Sequence, residues 1–301
     1  MARIDVNHIL CPVDLSEPSR DALRQAGMLA RWYGSKITVL QVLSEIVAPV
    51  PPLPYGPPSA PTPAGQRDAM AGELRRFVES SRVGGVEIAA KVLEGPVVSR
   101  IVQEASQLPA DLIVMGTHGA TGFERLVLGS VTEKVLRKAP CPVLTVPPAA
   151  PDALEPVPFK TILCAVDFSP PSLAGLKFAF SLAEESGGRL IALYVIDWSI
   201  GHPLPGDREL DRAALERHFQ DEAQRELSAA LTVGAPDAFE VRQVIATGKP
   251  HEEILRVAGE QHADVIVMGV HGRGAISLAF FGSTANQVVR AAACPVLTVR
   301  T

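Results

Sequence analysis

One heptapeptide occurs twice in this sequence, first as Ile113-Val-Met-Gly-Thr-His-Gly119 and, 153 positions later, as Ile266-Val-Met-Gly-Val-His-Gly272. The stretch Ile9-Leu-Cys-Pro-Val-Asp14 returns at the same offset as Ile162-Leu-Cys-Ala-Val-Asp167. Matches that keep one register along nearly the whole chain indicate a duplicated domain.

A proline-rich stretch separates the two copies. Pro147 to Pro158 contains five prolines, and the next strand is expected near Lys160, which is typical of a semi-rigid linker. The sequence therefore predicts domain 1 over 1–147, a linker over 148–158 and domain 2 over 159–301.

Short β-branched runs alternate with amphipathic stretches in each copy, which is the pattern of βαβ units around a parallel sheet. Domain 1 is predicted to have strands near 7–13, 36–43, 86–92, 111–115 and 141–146, and helices near 17–34, 67–83, 97–108 and 129–138. Between them, residues 49–63 contain eight prolines and predict an exposed loop. The predicted class is α/β, with two tandem five-stranded parallel sheets and helices on both faces.

Composition argues against several functions. The 301 residues carry a net charge of −5, and no basic run suggests binding to nucleic acid or to a membrane surface. Apolar runs such as 190–196 are far shorter than the ~20 residues that span a bilayer. The first residues lack the apolar core of a secretory signal, so a cytoplasmic location is expected.

Each copy follows its fourth predicted strand with Gly-x-His-Gly, nine further residues and then Gly-Ser at the start of a helix. Glycines permit close approach of the backbone or a positive φ, and a helix N-terminus adds free N–H groups and a favourable dipole. These features suit a phosphate cradle. The alternative is that the glycines only form turns and that Ser130 and Ser283 only cap their helices.

The place of this motif in the sheet favours a ligand site. If the strand order is 3-2-1-4-5, a crevice opens between strands one and four, where open α/β sheets bind ligands. Strand one ends in Asp14 or Asp167. Ser16 and Ser169 are better placed to cap the following helices, which leaves the aspartates to face a ligand.

Pro12-x-Asp14, the spaced glycine motif and the closing Ala139-Pro-Cys-Pro-Val-Leu-Thr-Val146 resemble the universal stress proteins in their tandem form. The resemblance implies Rossmann-like domains of the adenine nucleotide alpha hydrolase-like kind, and ATP as ligand, with or without Mg²⁺. In domain 1 it implies a site made of Pro12, Val13, Asp14, Val42, Met115, Gly116, His118, Gly119, Gly129, Ser130 and Val131. In domain 2 the matching residues are Ala165, Val166, Asp167, Val195, Met268, Gly269, His271, Gly272, Gly282, Ser283 and Thr284, with Ala165 in place of proline.

Several other residues have simpler structural explanations. The four cysteines fall on predicted strands without metal-ligand spacing, so buried free thiols are expected and no metal site is predicted. His118 and His271 lie between glycines and need contribute only backbone. The sequence has no P-loop lysine motif, which disfavours Walker-type phosphoryl transfer.

Three kinds of function remain open. The first is a stress-response regulator whose bound nucleotide sets its conformation or choice of partner. The second is an enzyme, at most a slow ATPase, and the third is a dimerisation scaffold without nucleotide. The resemblance further implies that the last strands of the two domains pair within the chain, and a homodimer of the whole chain is also considered.

Overall fold

The structure is a computed structural model that describes residues 4–44, 63–118, 128–149, 155–156, 158–197, 209–232, 239–272 and 281–300, with the side chains of 63–66 and 209–213 excepted. The first half contains β1 His8–Pro12, α1 Glu17–Tyr33, β2 Lys36–Leu43, α2 Pro63–Ser80, β3 Ile88–Glu94, α3 Val97–Gln107, β4 Leu112–Gly116, α4 Ser130–Lys138 and β5 Val143–Val146. The second half contains β6 Thr161–Ala165, α5 Pro170–Ser186, β7 Arg189–Ile196, α6 Glu209–Thr232, β8 Val241–Thr247, α7 Pro250–Glu260, β9 Val265–Gly269, α8 Ser283–Ala291 and β10 Val296–Val299.

The predicted α/β class is confirmed. All ten strands belong to one sheet in the order β3-β2-β1-β4-β5-β10-β9-β6-β7-β8. Pairing is parallel within each half. β1 lies between β2 and β4, and β6 lies between β7 and β9. In each half the strand order therefore reverses beside the first strand, where a crevice can form.

Helices cover both faces of the sheet. One apolar cluster joins β1 to α1 and α2 through residues such as Leu23 and Leu74, and the other joins it to α3 and α4 through Ile101 and Val135. Every residue of β1 is buried, as expected of a parallel strand between two helical layers. The uniformly apolar sequence of the central strands is thus explained by burial on both sides.

Helix α1 has clear boundaries in the sequence. The Ser16 hydroxyl accepts a hydrogen bond from the Ser19 backbone N–H at the N-terminus, and Gly34 ends the helix in the left-handed region at φ 69°. Helix α5 repeats this arrangement with Ser169 and with Gly187 at φ 57°. The predicted capping roles of both serines agree with the structure.

The predicted start of the second helix is wrong. Helix α2 begins at Pro63 rather than near 67, so the last proline of the predicted loop is the first helical residue. Proline suits that position because its missing N–H would have no helical partner there and its φ is already helical. The helix also ends at Ser80, before the predicted 83. The remainder of the predicted loop, 49–62, lies outside the described residues.

The two halves meet through their last strands. β5 and β10 pair antiparallel, with Leu144 opposite Leu297 and Val143 opposite Thr298. Leu144 and Leu297 are equivalent residues of the two copies, so the register is self-complementary, as in a twofold interface. The Thr145 and Thr298 hydroxyls add reciprocal bonds to the carbonyls of Val296 (3.1 Å) and Val143 (3.2 Å).

Candidate nucleotide site

The candidate site of domain 1 includes the carboxylate of Asp14, which follows β1. Oδ1 of Asp14 accepts hydrogen bonds from the Ser16 backbone N–H (3.2 Å) and from the hydroxyls of Ser16 and Ser19. Leu15, between them, has a φ of 65°, which turns the carboxylate over the first turn of α1. One oxygen of Asp14 is therefore held by the start of the helix, and the role of Asp14 toward a ligand stays a prediction.

Domain 2 repeats this arrangement. Oδ1 of Asp167 accepts from the Ser169 backbone N–H (3.0 Å), and the Asp167 N–H donates to the Ser172 hydroxyl (3.2 Å). Phe168 has a φ of 61°. Oδ1 of Asp167 is therefore also held by the start of its helix, and its ligand role stays a prediction too. Ser19 and Ser172 were not predicted, although their recurrence at the 153-residue offset could have identified them.

The glycine loop of domain 1 is closely packed. A Cβ on Gly116 would lie 3.1 Å from the His118 carbonyl oxygen and 3.2 Å from that of Pro18. Gly129 donates its N–H to the Thr117 carbonyl (2.9 Å), and a Cβ there would lie 3.2 Å from the same oxygen. These glycines avoid crowding by a side chain.

Domain 2 brings its aspartate and its glycine loop together. A Cβ on Gly272 would lie 2.7 Å from Oδ2 of Asp167, and the Ser169 hydroxyl donates to the His271 carbonyl at 3.3 Å. Gly282 donates its N–H to the Val270 carbonyl at 2.9 Å, as Gly129 does in domain 1. The ends of β6 and β9 and the start of α8 therefore converge on one crevice.

None of the described motif glycines adopts a positive φ. Of the two properties for which glycine suits this motif, a positive φ is therefore not used at Gly116, Gly129, Gly269, Gly272 or Gly282. Glycine suits these positions because neighbouring backbone or carboxylate atoms would crowd a Cβ, and the closest backbone atoms, at Gly269 and Gly282, would lie 2.8 and 2.9 Å away.

The helices after the glycine loops begin without a side-chain cap. Gly129 (φ −57°) and Gly282 (φ −58°) occupy the N-cap positions, and neither makes a side-chain capping bond. Ser130 and Ser283 are the first helical residues and are exposed, so the interpretation of these serines as N-caps is wrong. An uncapped N-terminus presents N–H groups and a positive dipole end, which suits a bound phosphate.

The apolar residues implied for the nucleoside are divided between the two faces of the sheet. Val42, Met115 and Val131 belong to the cluster under α3 and α4, whereas Val13 belongs to the cluster under α1. Domain 2 divides its own residues in the same way, with Val195 and Met268 on one side and Val166 on the other. Pro12 is buried, and Ala165 and Thr284 are half-buried.

The two histidines differ in burial. His118 is half-buried and its Nδ1 lies 2.8 Å from the Thr117 hydroxyl, whereas His271 is 6% exposed. Gly119 and most of each nine-residue loop, 119–127 and 273–280, lie outside the described residues. Across the described ranges, no cluster of His, Cys, Asp and Glu is arranged to hold a metal ion.

All four cysteines are free thiols; Cys11, Cys141 and Cys164 are buried as predicted, whereas Cys294 is only partly buried. Burial raises the pKa of Cys11, Cys141 and Cys294 to about 12, and it raises the pKa of Cys164 as well. Thiols with such pKa values stay protonated at neutral pH and make poor nucleophiles. Among the described helices, none is long and apolar enough to cross a membrane.

Comparison with known proteins identifies the family. The model of the "Universal stress protein family" matches residues 6–147 and 158–300. Universal stress protein Rv1996 of Mycobacterium tuberculosis is 31% identical over 228 residues, which cover 74% of this chain and 69% of that protein. A Mycolicibacterium smegmatis universal stress protein is 27% identical over 97% of this chain and 96% of its own length.

A solved structure supports the same assignment over the whole chain. The crystal structure of a universal stress protein from Archaeoglobus fulgidus aligns with 98% of this chain and 97% of its own, at 25% identity and a TM-score of 0.65. Both copies of the duplicated sequence are matched by the family model. This chain belongs to the universal stress protein family.

Proposed function

We propose that each domain binds an adenine nucleotide, and that occupancy sets the conformation or partner choice of a stress-response regulator. The observation that carries this proposal is the uncapped start of α4 and α8 directly after a glycine loop. In domain 2 Gly272 of that loop lies so close to Asp167 that an added Cβ would be 2.7 Å from its Oδ2. These observations support a site in each half of the sheet where a helix start would bind phosphate and a carboxylate would face the nucleoside.

The proposed nucleotide lies across this crevice. Its phosphates bind the N–H groups at the start of α4 or α8 and the Ser130 or Ser283 hydroxyl. Its adenosine lies between the apolar side chains of Val13, Val42 and Met115, away from the helix start. Separation of Asp14 from the phosphates is electrostatically favourable, because a carboxylate beside phosphate would be repulsive.

We further propose that β5 and β10 form a stable intramolecular interface in solution. The self-complementary register and the reciprocal threonine hydrogen bonds support this. Arg300 of domain 2 adds a contact to domain 1. Its guanidinium donates to the carbonyls of Leu136 (3.0 Å) and Arg137 (2.8 Å) at the end of α4. A homodimer of the chain would then use another surface.

Mass spectrometry of nucleotide released from the purified, denatured protein tests the proposed function. Release of an adenine nucleotide in near-stoichiometric amount is expected. In nucleotide-free protein, ATP at 100-fold over its Kd is expected to stabilise the fold by about 2.7 kcal/mol, which raises Tm. Absence of both effects at millimolar ATP with Mg²⁺ would support the scaffold instead, and steady phosphate release over hours would support the slow ATPase.

Paired serine variants give a sharper test. Ser130→Asp and Ser283→Asp place a carboxylate at an exposed first helical position, where it favours the helix dipole but repels phosphate. Each variant is expected to fold normally and to lose most ATP stabilisation at its own site. Ser99→Asp is the matched control, because Ser99 is exposed in the first turn of α3.

A further inference from the structure

A cleft of about 310 Å³ lies on domain 1 between α1, the turn after α2 and the linker. Its lining includes four arginines and two glutamates: Arg20, Arg24, Arg31, Arg82, Glu17 and Glu155. None of the described residues of either glycine motif lines it. The cleft carries an excess of positive charge although the chain as a whole has a net charge of −5.

Local packing explains why the arginines converge. Arg20, Arg24 and Arg31 are four and seven residues apart and therefore share one face of α1. Gly27 lies on this face, and a Cβ there would be 2.3 Å from Cγ1 of Val83. The missing side chain lets the turn after α2 approach α1, and this brings Arg82 to the same cleft.

Two of the arginines are fixed by the protein. The Arg20 guanidinium lies 4.5 Å from the centre of the Phe77 ring, donates to Ser80 Oγ (2.6 Å) and pairs with Glu17 (3.0 Å). Arg24 pairs with Asp21 at 3.2 Å. Their charges are therefore partly compensated and their positions are set.

Arg31 and Arg82 differ from this fixed pair. Both are exposed, and neither has a carboxylate within 4.0 Å among the residues that the structure describes. The only side-chain bond that Arg31 makes there is a long one of 3.4 Å to the Gly84 carbonyl. These two guanidinium groups can bind an anion without first breaking an ion pair.

The second domain lacks this cluster. The positions equivalent to Arg20, Arg24 and Arg31 hold Leu173, Lys177 and Glu184. The cluster is therefore not part of the machinery that duplication copied into both halves. An exposed leucine (36%) and a reversed charge at these positions would oppose anion binding there.

We propose that this cleft binds a small anion with two or more phosphate groups, at a site separate from the glycine loops. Planar guanidinium groups bind phosphate oxygens in pairs, and several of them around one cleft favour a ligand with several phosphates. The volume of about 310 Å³ lies at the lower end of the range for small-molecule pockets. The linker contributes Glu155 to the lining, so an anion in this cleft would lie against the segment that joins the domains.

Calorimetric titration with inorganic tripolyphosphate at low salt tests the proposal. The full-length wild type is compared with Arg31→Gln/Arg82→Gln and with Arg75→Gln, an exposed arginine of α2 that does not line the cleft. We expect the double variant to bind at least ten-fold more weakly at one site, and the control to bind as the wild type does. Far-UV circular dichroism shows that all three are folded.

A second variant distinguishes direct binding from a general charge effect. Glu155→Gln removes a carboxylate from the cleft and is expected to tighten tripolyphosphate binding by a few-fold. Unchanged affinity and stoichiometry in Arg31→Gln/Arg82→Gln would overturn the proposal. So would a wild type that shows no binding at 1 mM probe. Tripolyphosphate bound only at the glycine loops would also overturn it, because the arginine variant would then match the control.

Discussion

At the scale of single residues, Lys91 and Glu104 show how the two domains have diverged. Lys91 Nζ lies 2.6 Å from Glu104 Oε1, and the side chain of Glu104 is only 2% exposed. In domain 2 the equivalent residues are Val244 and Val257. The same structural positions thus hold an ion pair in one copy and an apolar pair in the other.

We expect Lys91→Val to destabilise the protein by about 2 kcal/mol, because a buried carboxylate loses its partner. This is less than the cost for a fully buried pair, since Lys91 is 43% exposed. The double variant Lys91→Val/Glu104→Val is expected to be as stable as the wild type or more stable. Urea unfolding of the three proteins measures this, and a double variant less stable than Lys91→Val would contradict it.

His8 gives a pH-dependent prediction. Its Nε2 lies 2.8 Å from the Thr38 hydroxyl and its Nδ1 lies 3.0 Å from the Leu108 carbonyl. Burial lowers the pKa of His8, Lys36 lowers it further, and Asp111 and Glu104 oppose these effects. Because the folded pKa lies below the unfolded value, the unfolded state takes up the proton first as pH falls.

His8 therefore contributes stability that is present above its unfolded pKa of about 6.5 and is lost as pH falls toward the folded pKa. Replacement with threonine, the residue at the equivalent position 161, removes this titration. We expect Tm of His8→Thr to fall less than that of the wild type between pH 7.5 and 5.5. An equal fall in Tm for the two proteins across this pH range would contradict the prediction.

At the scale of elements, β5 and β10 determine how the halves are joined. Each strand has only four residues, yet all eight are buried and apolar or threonine. An uncovered apolar edge would favour aggregation, and each strand covers the other. The pairing of these two strands, which we propose for the protein in solution, would hold the domains together independently of the linker.

We expect the halves to remain associated after cleavage of the linker in the folded chain. A protease site inserted within 151–154 allows the cut, and size-exclusion chromatography then measures whether the fragments co-elute. Co-elution, or precipitation on separation by denaturant, is the expected result, because the edge strands need cover. Two fragments that elute separately as stable monomers would refute the pairing.

Much of this element structure could be predicted from the sequence, because burial on both faces makes the central strands uniformly apolar. The start of α2 was missed, since the seven prolines before Pro63 suggested a loop where Pro63 itself begins the helix. The hydrogen bonds of Asp14 were also missed, because they depend on the positive φ of Leu15. Convergence of Arg31 and Arg82 depends on the packing of α1 against α2, which the sequence pattern does not reveal.

At the scale of the whole molecule, the duplication preserved the crevice and let its surroundings change. Both domains keep the aspartate at the end of the first strand, the glycine N-cap and the exposed serine at the first helical position. The loops differ in charge, with Glu124 in copy one and Arg273 directly after the second glycine in copy two. Such differences can change affinity about ten-fold, which is ~1.4 kcal/mol, without removing a site.

Calorimetric titration of ATP into nucleotide-stripped, full-length protein tests the central claim most directly, since it counts sites and ranks them. We predict two adenine nucleotides per chain, with the domain 2 site the tighter. Ser283→Asp should then lose the tighter site, Ser130→Asp the weaker one, and Ser99→Asp neither. One site per wild-type chain, or no binding at all, would contradict the claim that both crevices bind nucleotide.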